Sequence, residues 1–210
     1  MGILGLHDVV SAVSSYLTQR RHMQIDPQVF LDMAEKTHKL AFLDIESTGL
    51  KGDYNSVLVV SIKPYGKTAE VFTCKEPGDD RDLLDEVWMA LTNYECIVTY
   101  YGKGFDIPML NTRRLSWGFE PLLPIHHIDM YYTLKSKLIT GRRSQGHLLE
   151  WLNTPEKKMS VSASDWNKVL DAKTREQAME TMVKRCVSDT KGLEHLYRRT
   201  RHLIGDIKKG

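Results

Sequence analysis

Hydrophobic and polar positions alternate along this chain in a way that predicts strands first and helices last. Residues 1 to about 38 read as helical, with Asp26-Pro27 as an N-cap and first-turn proline opening DPQVFLDMAEKTH. KLAFLDIESTGL is a short, nearly continuous apolar run, the pattern of a strand buried on both faces. YNSVLVVSIKP and KTAEVFTC follow, separated by Pro64-Tyr65-Gly66, and predict a hairpin. DDRDLLDEVWMALTN places Leu84, Val87, Trp88 and Leu91 at helical spacing behind acids in its first turn. ECIVTYYG predicts another strand and FDIPMLNTRRLSWG a helix. Beyond Pro121-Leu122-Leu123-Pro124 only HHIDM reads as strand; MYYTLKSKL, GHLLEWL, SASDWNKVL and about Thr174 to Ile204 read as helices. The expected class is α/β: a mixed central sheet, antiparallel meander then parallel strands, flanked by helices.

Composition bounds this picture without redirecting it. A chain of 210 residues, 41% hydrophobic and 27% charged, suits one globular domain. No apolar run reaches the ~18 residues of a membrane span. The start lacks a basic stretch before its apolar residues, so it does not read as a signal peptide, and a cytoplasmic protein is expected. Cys74, Cys96 and Cys186 lie far apart and read as reduced thiols. The net charge of +2 gains meaning only if acids are gathered in one site, which leaves a more basic surface suited to a polyanion.

Four acids are candidates for such a site. Asp44 and Glu46 are two apart on a predicted strand and therefore share a face. Burying both needs a positive partner, for which a divalent metal suffices; the alternative is the exposed end of the strand. Asp106 follows the Gly102-Lys103-Gly104 stretch at the start of a helix, where capping alone also explains an acid. Asp189 falls within the apolar stripe of Met182, Cys186, Leu193 and Leu196, out of place unless metal-bound or salt-bridged. Carboxylates drawn from separate elements can hold two Mg²⁺ or Mn²⁺ ions, which about 3.5–4 Å apart serve phosphodiester hydrolysis.

FLDIESTGL, YYGKGFDIPML and CVSDTKGLEHLY resemble, in order, the three motifs of the DEDD (DnaQ-like) exonuclease superfamily, which has the ribonuclease-H-like fold. The Gly-Lys-x-Phe-Asp-x-Pro pattern looks most like the YprB-type branch, and the match runs from about Lys39 to Tyr197. It implies a 3′–5′ exonuclease with two-metal catalysis, Asp44, Glu46, Asp106 and Asp189 being the ligands and DNA or RNA, single-stranded or with a free 3′ end, the partner. Thr48 and Leu50 are implied contacts of the terminal nucleotide. Tyr101, Lys103 and Phe105 of the second motif are further candidate substrate contacts, and Asp129 a supporting group. The resemblance divides the chain into an N-terminal helical extension (1–38), a ribonuclease-H-like domain (39–204) and a basic tail (205–210).

This chain departs from the pattern twice. Tyr101 stands where asparagine is usual, and the usual tyrosine or histidine base is replaced by Arg185 or Lys184. Neither serves as a base at neutral pH. Arg185, one turn before Asp189, is placed to hold a phosphate oxygen or, alternatively, to pair with a nearby acid. Lys135, Lys137, Arg142 and Arg143 near Tyr131 and Tyr132 suit phosphate contact and base stacking, or simply a solvated face. Gly102-Lys103-Gly104 lacks the phosphate-loop pattern and reads as a plain loop, and His126-His127 as structural. The readings that compete with an exonuclease are a structure-specific endonuclease and a nucleic-acid-binding module whose nuclease site has decayed.

Overall fold

The computed structural model describes residues 26–159 and 163–209; the expected helical segment before Asp26 lies outside them. Helix α1 (Pro27–Lys36) starts as its sequence predicts, the Asp26 carboxylate accepting from the Gln28 and Val29 amides at 2.8 and 3.3 Å. Strands β1 (Leu40–Ser47), β2 (Val57–Pro64) and β3 (Glu70–Thr73) follow as an antiparallel meander. Helix α2 (Arg81–Leu91), strand β4 (Cys96–Thr99), helix α3 (Asp106–Ser116) and strand β5 (His126–Asp129) alternate next. Helices α4 (Met130–Lys137), α5 (Gln145–Trp151), α6 (Ala163–Leu170) and the 26-residue α7 (Arg175–Thr200) complete the layers.

The sheet runs β3-β2-β1-β4-β5, with β1, β4 and β5 parallel. A two-residue edge strand, β6 (Lys208–Lys209), adds antiparallel to β5. The mixed sheet expected from the sequence is therefore present, and helices cover both of its faces. Helix α1, assigned from sequence to an extension, buries Leu31 and Ala34 in the same core as Leu40 and Phe42. The segment read as a tail contributes β6.

Alternate residues of β1 feed two cores. Ala41, Leu43 and Ile45 join α2, α3 and the first half of α7; Leu40 and Phe42 join α1, α4, α5 and its second half. Helix α7 thus passes from one core (Ala178, Met182, Cys186) to the other (Leu193, Leu196, Tyr197), and Asp189 sits at the changeover. Three contacts pin this stretch. Gln145 donates to the Asp189 carbonyl at 2.8 Å, the Cys186 thiol to the Asp44 carbonyl at 3.3 Å, and Ser61 and Thr190 share a hydroxyl bond of 3.0 Å. No helix among the described residues is long and apolar enough to cross a membrane.

Candidate active site

Strand β1 has β2 on one side and β4 on the other, but β4 pairs with it only from Leu40 to Phe42. Past Phe42 the two strands separate, opening a crevice at the carboxyl end of the parallel strands, the usual position of α/β ligand sites. Asp44 and Glu46 lie in the stretch that pairs with β2 but not with β4, on one face as their spacing requires. The β1–β2 register shifts between Glu46 and Ser47, an irregularity that ends the regular ladder beside the site.

Asp189 reaches the same point from α7. Single carboxylate oxygens of Asp44, Glu46 and Asp189 lie within 4.8 Å of one another. Asp106, the first residue of α3, is buried nearby but outside this closest group. Two oxygens, Asp44 Oδ2 and Asp189 Oδ1, are buried without any hydrogen-bond partner. Such atoms are costly to leave bare, and hard oxygen donors suit Mg²⁺ or Mn²⁺, so the residues fit a divalent ion.

The electrostatics agree with a site built against its own repulsion. Burial, then the charges of Asp106, Asp189 and Glu46, hold the Asp44 carboxyl well above the usual carboxylate range. Burial raises Glu46 to about 7 despite the opposing Arg185. Asp106 rises to about 7 for the same first reason, opposed by its own backbone amide and that of Ile45. Burial also pushes the Cys186 thiol far up, so it is a packing group and an inert donor.

Two cations enter this acid cluster. Arg185 Nε lies 2.9 Å from Glu46 Oε1 and 3.8 Å from Asp189 Oδ2, its guanidinium over the Trp166 ring. Of the two roles open to Arg185 in the sequence, the structure has it paired with acids. Lys158, which sequence reasoning missed, sets its ammonium 2.8 Å from Asp189 Oδ2. It lies in the segment between α5 and α6, far from every motif, and no local pattern points to it. Lys184 instead faces solvent and pairs with Glu180 at 3.6 Å. A cleft of about 720 Å³, lined by Gly146, Glu150, Glu156, Lys158 and Arg185 among others, opens beside these cations. A more apolar cavity of about 430 Å³, lined by Trp88, Tyr94, Ile97 and His127 among others, lies at the amino ends of β4 and β5, away from the carboxylates.

The remaining sequence candidates ring the crevice. Thr48 is half-buried, its hydroxyl accepting from the Ser56 amide at 3.0 Å, whereas Leu50 is 82% exposed. Asp129 organises the second-motif loop: it accepts from the Tyr101 and Lys103 amides, each at 2.9 Å, and from Tyr131 at 3.0 Å. Tyr101, held at φ 68°, stacks on Tyr132 with ring centroids 5.9 Å apart. The Lys103 side chain is exposed, while Phe105 is half-buried against the core. His127, kept neutral by burial with its pKa lowered to about 4, bonds Thr99 at 2.8 Å, and among the described residues no histidine joins the acid cluster.

Comparison with known proteins agrees with this fold. A family model described as the RNase H superfamily matches residues 41–201. Among solved structures, the family B DNA polymerase of the hyperthermophilic archaeon Pyrobaculum calidifontis superposes with a TM-score of 0.58 at 17% identity. The likeness, one of fold, covers 77% of this chain and 24% of that one, so the chain spans about a quarter of the polymerase. No curated protein sequence matches this chain.

Proposed function

Because this chain belongs to the RNase H superfamily, we propose that it is a divalent-metal-dependent nuclease that shortens DNA or RNA from the 3′ end. The observation that carries this reading is the convergence of Asp44, Glu46 and Asp189, with two buried oxygens left bare. Asp106 stands beside them as the fourth acid. In this reading the protein is a DEDD-type exonuclease of the YprB-type branch, and the four acids hold Mg²⁺ or Mn²⁺. The metal, when bound, supplies an acidified water and charge stabilisation at the phosphodiester.

The chain's own groups do the rest. Leu50, projecting beside the crevice, packs against the terminal nucleotide, and Thr48 borders it. Tyr101, Lys103 and Phe105 hold the strand on the other side, on a loop that Asp129 fixes through three backbone amides. Arg185 and Lys158 keep the acids from repelling one another and present positive charge toward a phosphate. The absence of the usual side-chain base costs typically about 10²–10⁴-fold in rate, which slows turnover without abolishing it.

Labelled single strands with Mg²⁺ or Mn²⁺ test the reading. Shortening from the 3′ end to mononucleotides is expected, and Asp44→Asn or Asp189→Asn should remove it with the fold retained by circular dichroism. Cutting of closed circles would move the function to an endonuclease. Full activity in Asp189→Asn would remove the acid site from the reaction.

A further inference from the structure

Lys158 approaches the acid cluster from the solvent side, its side chain about 35% exposed, and ends on a carboxylate that is 3% exposed. It takes only one oxygen of Asp189, Oδ2, leaving Oδ1 buried and bare. Arg185 Nε lies within ion-pair range of Oε1 of Glu46 and Oδ2 of Asp189, without a hydrogen bond to either. The two cations are therefore arranged around one side of the cluster. The bare oxygens, Asp44 Oδ2 and Asp189 Oδ1, are ones that neither cation bonds.

Charge leads to the same division. Once a bound cation ionises them, the four carboxylates face two cations, Arg185 and Lys158, so the positive charge still missing equals that of one divalent ion. A second ion would overfill the cluster unless Lys158 or Arg185 withdrew. Arg185 is held by Glu46 and by the Trp166 ring. Lys158 reaches in from a loop, so it is the cation whose removal leaves room.

Resting on the metal-dependent reading above, we propose that this site takes up one divalent ion per chain, and that the Lys158 ammonium stands in for a second. Lys158 is a charge-compensating residue that holds Asp189 and lies ready to meet a substrate phosphate. This arrangement differs from the pair of ions that the motif resemblance implies.

Titration with Mn²⁺ alone, counting bound ions from the electron paramagnetic resonance signal of free Mn²⁺, tests this without substrate or turnover. The unaltered chain is expected to bind one ion. Lys158→Met is expected to bind two, or one at least about tenfold more tightly, since a competing cation has gone. Lys158→Arg keeps the charge and should return the single-ion behaviour even if Lys158→Met is less stable. Two ions on the unaltered chain overturn the proposal but leave the metal-dependent reading intact. So does a Lys158→Met variant that binds one ion with unchanged affinity. No uptake by the unaltered chain, or equal uptake by Asp44→Asn and Asp189→Asn, overturns the metal-dependent reading itself.

Discussion

Gly102 illustrates how one atom secures the loop that leads to Asp106. A Cβ there would sit 2.4 Å from the Thr99 hydroxyl and 2.5 Å from its Cβ, a branch point that cannot swing away. The Thr99 hydroxyl also accepts from the Gly102 amide at 3.2 Å and bonds His127 at 2.8 Å. The glycine of the Gly-Lys-Gly stretch is thus explained by close packing. Gly102→Ala is expected to cost about 1–3 kcal/mol through overpacking, read as a lower midpoint in urea. Unchanged stability there would mean that the turn relaxes freely. Arg185 makes a related point about single residues. Its helical position showed that it faces Asp189, yet its 2.9 Å contact with Glu46 depends on where β1 lies.

Among elements, Asp80 ties together three that are distant in sequence. Fully buried just before α2, it accepts from the Val57 amide of β2 at 2.8 Å. From α3 and its C-cap it accepts from Arg113 at 2.8 and 2.9 Å and from the Trp117 indole at 2.7 Å. Burial works to raise its pKa, but these donors prevail and hold it below the usual value. A carboxyl depressed on folding contributes stability that is present above its unfolded pKa of about 3.9 and lost as pH falls through the folded value. Stability should therefore drop below about pH 4, less steeply in Asp80→Asn; Glu194, depressed despite burial by Lys63 and Arg198, adds to the same slope. Asp80→Ala strands Arg113 and should cost about 3–5 kcal/mol. Chemical denaturation across pH 3–7 reads both effects, and identical pH slopes would remove Asp80 from this role.

Across the whole molecule, the carboxyl ends of β1, β4 and β5 gather the acids and an aromatic patch on one side of the sheet. Tyr101 and Tyr132, 45% and 42% exposed, stack there, with Tyr131 edge-on to both and Lys135 over the Tyr131 ring. In the proposed reading, a single strand leaving the acid site would meet this patch. Base stacking on one tyrosine is worth about 1–3 kcal/mol, so Tyr132→Ala should weaken binding of a single-stranded oligonucleotide by roughly tenfold. Fluorescence anisotropy in Ca²⁺ would measure it, and unchanged affinity would send the strand elsewhere.

Much of this molecule is written locally. The apolar run around Asp44, the Pro64-Tyr65-Gly66 turn and the stripe of α7 announce β1, the hairpin and the long helix, because backbone periodicity registers burial directly. Asp44 and Glu46 were legible together because a strand sets neighbours two apart on one face, and Asp189 because an acid in an apolar stripe needs a partner. The core packing of helix α1 and the pairing of β6 with β5 were not legible, since neither short piece reveals what it packs or pairs with. Tertiary structure alone decided that Lys158 meets Asp189 and that Asp80 joins three elements. It likewise decided that Asp106 stands outside the tightest acid group. These are long-range contacts: charges attract across whatever distance the fold closes, and no periodicity along the chain records which loop will bring a lysine to a buried acid.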